Sequence, residues 1–122
     1  MLDTSALSCW IQGFVSIRAW VGVARLRGLT LLVPSLTRVE ILTLHPDAAE
    51  AVEELTSHPH VLLTELSDAD RNAVAGLLAA SGTCDVLGGW IVHVCRSRGW
   101  PALSLDPGRL RRLDPDLEID LL

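Results

Sequence analysis

Four acidic residues stand where an α/β chain can bring carboxylates together. Asp3 follows the only residues that can form a first strand, Glu40 lies inside the apolar stretch VEIL, Asp85 starts an apolar segment, and Asp106 ends the run PALSL. Apolar neighbours can fix each of these side chains in place. Converging carboxylates repel one another, so three or four in one pocket call for a cation. An all-oxygen ligand set selects Mg2+ or Mn2+, hard ions that keep several waters. Two such ions about 4 Å apart activate a water and stabilise the leaving oxygen of a phosphodiester. The chemistry implied is metal-assisted hydrolysis of a nucleic-acid backbone, with arginines receiving the phosphates.

Taken one at a time, most of these acids also have a structural reading. Asp3 can cap a turn with Thr4 and Ser5, Asp85 can answer the dipole of a first helical turn, and Asp106-Pro107-Gly108 is an ordinary turn sequence. Glu40 has no comparable local use. HPH (58–60) is read as a loop, because no third ligand stands nearby, and His93 as a core or interface residue.

The elements that must position the acids follow from punctuation in the chain. LTLLV (29–33) is an apolar run stopped by Pro34, and Ser35 then caps a helix through LTRVEILTL. Upstream, Gln12 to Arg27 reads as a helix ended by Gly28. Downstream come a helix in AAEAVEEL opened by Pro46 and Asp47, a strand VLL (61–63), and a helix capped by SDAD (67–70) and broken by SGT (81–83). The segment CDVLGGWIVHVC (84–95) is a buried helix ending near Arg96, Arg98 and Gly99. PALSL (101–105) is a strand, DPG turns into a short helix GRLRRL, and LEIDL (117–121) is an edge strand. Strands alternating with helices indicate an α/β fold with a largely parallel sheet, whose functional crevice lies beyond the strands' carboxyl ends.

Composition narrows the classes. The 122 residues suit one domain, 1–122, and Met1 leads into no basic or long apolar leader, so a cytoplasmic protein without membrane association is expected. Cys9, Cys84 and Cys95 form no CxxC pair and are read as small core residues. All ten basic residues are arginine, which excludes mechanisms that need a lysine and disfavours a receiver-like signalling domain. A net charge of −5 is unusual for a nucleic-acid binder, but acids gathered around divalent ions would be neutralised locally.

At these acids the sequence resembles the PIN domain, and within it the VapC-type toxins of bacterial toxin–antitoxin pairs. LDTSAL is similar to the opening motif, with Asp3 as the first metal-binding acid and the supporting hydroxyls of Thr4 and Ser5 behind it. VPSLTRVEIL carries Glu40 as the second acid. LSLDPGRLRRL resembles the T-x-D segment, with Ser104 for the threonine and Asp106 for the acid. The likeness covers nearly the whole chain. It implies a three-layer, flavodoxin-like sandwich with a central, mainly parallel sheet flanked by helices. It also implies a Mg2+- or Mn2+-dependent endoribonuclease that is normally a homodimer and is silenced by a small antitoxin protein.

The helix at 84–95 departs from that pattern. Relatives read like DVVDAHVV there, and their third acid falls at position 88, which here is Gly88; Asp85 corresponds to an extra acid one turn earlier. The primary reading is an endoribonuclease with Asp3, Glu40, Asp85 and Asp106 as metal-binding and catalytic residues. The alternative is a catalytically impaired PIN-fold protein that binds an antitoxin or an RNA. RLRR, holding Arg109, Arg111 and Arg112, is either a solvated helix face or, with Arg96 and Arg98, a contact to the RNA backbone. Trp10 and Trp20 are read as facing an antitoxin or a second subunit. Only Met1 and Leu2 precede Asp3, so the first strand is expected to be clipped or the chain to start upstream.

Overall fold

The computed structural model describes residues 1–122. Its elements run α1 (Thr4–Ile11), α2 (Val15–Arg27), β1 (Leu31–Pro34), α3 (Ser35–Leu44), a 3-10 turn (Pro46–Ala48), α4 (Ala49–Thr56), β2 (Val61–Thr64), α5 (Asp68–Ser81), α6 (Val86–Arg98), β3 (Ala102–Ser104), α7 (Pro107–Arg111) and β4 (Ile119–Leu121). The chain is α/β, and its strands are short and parallel. β1 pairs with β2 in the register Leu31–Val61 to Pro34–Thr64, and β3 pairs with β4 from Ala102–Ile119 to Ser104–Leu121.

Residues 1–3 run between the two pairs. The Leu2 amide donates to the Leu32 carbonyl at 2.8 Å, the Leu103 amide donates to Met1 at 2.7 Å, and Leu2 forms a single parallel bridge with Leu103. Leu2 is thus held from both sides, and as a bridge it forms no strand of its own.

Side chains alternate across the strands, as a two-residue period requires. Leu31, Val33, Leu2 and Leu103 join Ala6, Leu7, Ile17, Ile41, Val52 and Leu55, residues of α1 to α4, in one apolar cluster. Leu32, Met1 and Ala102 point the other way into a second cluster with Val74, Leu78, Trp90, Ile91 and Leu110, from α5, α6 and α7.

The expected helix from Gln12 to Arg27 is α2, which begins at Val15, and a further helix not expected from the sequence precedes it. TSALSCWI forms α1 by itself, capped by Asp3, and Gly13 at φ 76° turns the chain into α2. Only glycine enters that left-handed region without strain. Ser67 caps α5 as its sequence indicates, its side chain accepting from the Asp70 amide. Glycine in α6 has a packing reason: a β-carbon at Gly89 would stand 2.8 Å from Leu78 Cδ2 and 3.3 Å from Val74 Cγ1, so its absence lets α5 lie close against α6.

Two smaller expectations change. Trp10 is 4 % exposed and its indole N–H donates to the Ala51 carbonyl, so it belongs to the core and not to a partner surface. Trp20 is half-buried beside that core. Cys9 and Cys95 are buried as expected, but Cys84 is exposed because it sits in the loop before α6. No single helix is long and apolar enough to cross a membrane.

Candidate active site

Parallel strands place all their carboxyl ends on one side, and the sequence puts its acids just past them. Asp3 ends the N-terminal bridge, Glu40 rises from α3 after β1, and Asp106 lies two residues beyond β3. Asp3, Glu40 and Asp106 line a single cleft of about 280 Å³ with Thr4, Ser5, Ser8, Leu44, Leu105 and Arg109. Asp85 stands outside this cleft, in a neighbouring groove that it shares with Glu40.

Asp3 is the buried member, 2 % exposed. Its Oδ1 accepts from the Ala6 amide at 2.9 Å, the N-cap bond of α1, and from Ser5 Oγ at 2.7 Å, while Oδ2 accepts from Ser104 Oγ at 2.5 Å. Burial raises the Asp3 carboxyl above its ordinary value, against the pull of Ser104, Ser5, the Ala6 amide and the Arg109 charge. Ser5 Oγ also accepts from the amides of Leu105 and Asp106, at 2.8 and 3.2 Å, and Ser104 Oγ accepts from the Asp106 amide at 3.0 Å. The Ser5 and Ser104 hydroxyls, two of the three expected to support the site, thus tie the first acid to the segment that carries the last.

Asp106 itself is exposed at the rim and takes part in none of the salt bridges. Thr4 lies at the floor. Its Oγ1 is buried and completes no hydrogen bond, although its proximity helps to keep Glu40 ionised.

Glu40 and Asp85 meet through Arg109. Nε and Nη2 of Arg109 donate to Asp85 at 2.8 and 2.7 Å; Nη1 donates to Glu40 Oε1, and Nη2 to Glu40 Oε2 at 2.9 Å. The guanidinium is the foremost cause holding both carboxyls below the usual range, and the two acids raise the pKa of Arg109 in return. Asp85 is the N-cap of α6, its Oδ1 accepting from the Gly88 amide at 3.0 Å.

Sequence reasoning assigned Arg109 only to a phosphate-binding or solvated face, and so missed its inward turn. The one available signal is its position, three residues past the last acid on a short helix whose next residue, Leu110, is fully buried. Arg111 and Arg112 are exposed. On α6, Arg96 approaches Asp114 at 3.4 Å and Arg98 lies over the Trp100 ring at 4.9 Å. His93 is half-buried and bonds to Asp70 at 2.8 Å, joining α6 to α5.

The residues of the cleft suit a hard divalent ion. Every donor is oxygen, the buried Asp3 carboxylate has hydroxyls and an amide as partners but no cation in direct contact, and the Thr4 hydroxyl is unspent. The one guanidinium is paired with two acids while Asp3 and Asp106 have no cation in contact, a charge balance that leaves room for added positive charge. As the side chains stand, no three of the acids are grouped at metal-ligand range, and Arg109 occupies the space between Glu40 and Asp85. Comparison with known proteins gives no family model that the chain matches and no curated protein to which it is similar enough to match.

Proposed function

We propose that this chain is a metal-dependent endoribonuclease of the PIN kind, resembling VapC toxins, which hydrolyses RNA phosphodiester bonds with Mg2+ or Mn2+. The observation that carries the reading is the convergence of Asp3, Glu40 and Asp106, from three separate parts of the chain, on one cleft past the carboxyl ends of parallel strands. On this reading the two strand pairs and residues 1–3 act as one central sheet between two helical layers, the sandwich of that family. A homodimer, a small antitoxin partner and an RNA substrate belong to the same proposal.

The bound ion would supply charge neutralisation and an activated water to the phosphodiester. Asp3, Glu40 and Asp106 would hold it. Ser5 and Ser104 orient Asp3 by donating to its two oxygens, and they fix the Asp106 backbone beside it. While Arg109 lies between them, Asp85 reaches the site only through that guanidinium, which it positions together with Glu40; with the guanidinium out of the way, Asp85 would stand as a fourth acid available to the ion.

A second reading, a PIN-fold binding protein without catalysis, draws support from Gly88 in place of an acid and from the Arg109 clasp on Glu40 and Asp85. Incubating single-stranded RNA with Mg2+ or Mn2+ and the natural protein, Asp3→Asn, Asp106→Asn or Gly88→Asp separates the two. Cleavage by the natural protein, lost in Asp3→Asn and Asp106→Asn, is the expected result. Cleavage by Gly88→Asp alone would establish the second reading instead.

A further inference from the structure

The Arg109 guanidinium commits all three of its nitrogens to two carboxylates from different elements. Arg109 sits on α7, Glu40 on α3, and Asp85 caps α6, so one side chain spans three helices at the edge of the cleft. Its position on α7 is fixed independently, because Leu110 beside it is fully buried in the core. Releasing the guanidinium therefore needs side-chain rotation and no unwinding.

The clasp is also accessible. The side chains of Arg109, Glu40 and Asp85 are 27, 34 and 25 % exposed, so water and ions reach it, and its strength is moderated by screening. Two carboxylates against one guanidinium leave an excess of negative charge, and Asp3 and Asp106 add to it at the same cleft. A divalent ion brings twice the charge of Arg109 to these oxygens, but it cannot approach Glu40 and Asp85 together while the guanidinium lies between them.

We infer that Arg109 is an exchangeable counter-ion: it holds Glu40 and Asp85 while no divalent cation is bound, and Mg2+ or Mn2+ displaces it, freeing the fork for a substrate phosphate. This rests on the metal-dependent reading above. Because Arg109 also lines the cleft, the released guanidinium stays within reach of a phosphodiester held there, and its planar donors match two phosphate oxygens.

Two measurements without RNA test the exchange. In calorimetric titration with Mn2+ alone, Arg109→Gln should bind at least about tenfold more tightly than the natural protein, with Arg109→Lys in between. In the natural protein, the Arg109 Nε–H resonance should be protected from solvent exchange while paired and lose that protection on saturation with Mg2+; this result stands even if the variants do not fold. Equal or weaker Mn2+ binding by Arg109→Gln, with an unperturbed Nε–H signal at saturating Mg2+, overturns the exchange and leaves the metal site intact. No binding by any of the three proteins overturns both the exchange and the metal-dependent reading.

Discussion

Asp85 folds back over Gly88. The Gly88 amide donates to Asp85 Oδ1 at 3.0 Å, and a β-carbon at position 88 would lie 2.3 Å from Oδ2 and 3.1 Å from Leu113 Cδ1. The glycine leaves the space that the capping carboxylate fills, and the capping carboxylate in turn grips Arg109.

Gly88→Ala should therefore fail to give the usual benefit of removing glycine from a helix. The substitution gains about 1 kcal/mol of helix propensity, but displacing Asp85 forfeits an N-cap of similar size and half of the Arg109 clasp. Net destabilisation of roughly 1 kcal/mol is expected by urea unfolding. Gly76→Ala in α5 is the control, since no atom lies within 4 Å of a β-carbon there; it should stabilise by about 0.5–1 kcal/mol. Equal stabilisation by both substitutions would refute the account of Gly88.

Gly89→Ala meets packing where Gly88→Ala meets a carboxylate. A β-carbon 2.8 Å from Leu78 Cδ2 overfills the α5–α6 contact, at a cost of roughly 1–3 kcal/mol before the propensity gain. Leu78→Ala should then be less harmful in the Gly89→Ala background than alone. A double-mutant cycle with additive effects would show that the two residues do not compete for the same space.

The buried acid and the clasped acids pull stability in opposite directions with pH. Burial raises the Asp3 carboxyl, so the fold weakens as pH climbs through the interval from the unfolded value to the folded one. Glu40 and Asp85, lowered chiefly by Arg109, contribute stability that is present above their unfolded values and is lost as pH falls toward their folded ones. Asp3→Asn should accordingly be more stable than the natural protein near pH 7, with the gain shrinking as pH drops toward about 3. Urea unfolding across that range checks both the sign and the trend, and a less stable Asp3→Asn at pH 7 contradicts it.

Any RNA contact by the exposed arginines would have a salt signature. Arg111 and Arg112 are exposed, whereas Arg109 is committed to Glu40 and Asp85. Replacing Arg111 and Arg112 together by alanine should weaken binding of single-stranded RNA and lower the slope of log affinity against log salt by about 1 to 1.5. An unchanged slope removes these two from the interface and leaves Arg96 and Arg98 to be tested in the same way.

Much of this arrangement is legible in the sequence, and what is not has physical causes. Pro34, Ser67 and Gly28 punctuate the chain where the structure breaks, and Asp3 and Glu40, picked out by their apolar neighbours, both line the cleft. α1 is hidden because most of TSALSCWI is buried, which leaves little of the polar stripe by which a helical period is recognised. The inward turn of Arg109 is hidden because nothing in RLRR distinguishes it from Arg111 and Arg112; only the approach of α3 and α6 from distant sequence selects it. Gly88 reads as a missing acid in the sequence and as standing room for Asp85 in three dimensions.

The hydroxyl mesh of Ser5 and Ser104 has a last consequence. It pins Asp3 to the backbone of Asp106 from both sides, while Glu40 depends on a longer, half-buried side chain held by Arg109. Tolerance in the cleft is therefore lopsided: guests of different radius would be accommodated on the α3 wall, and size selectivity would be decided by how far Glu40 can travel.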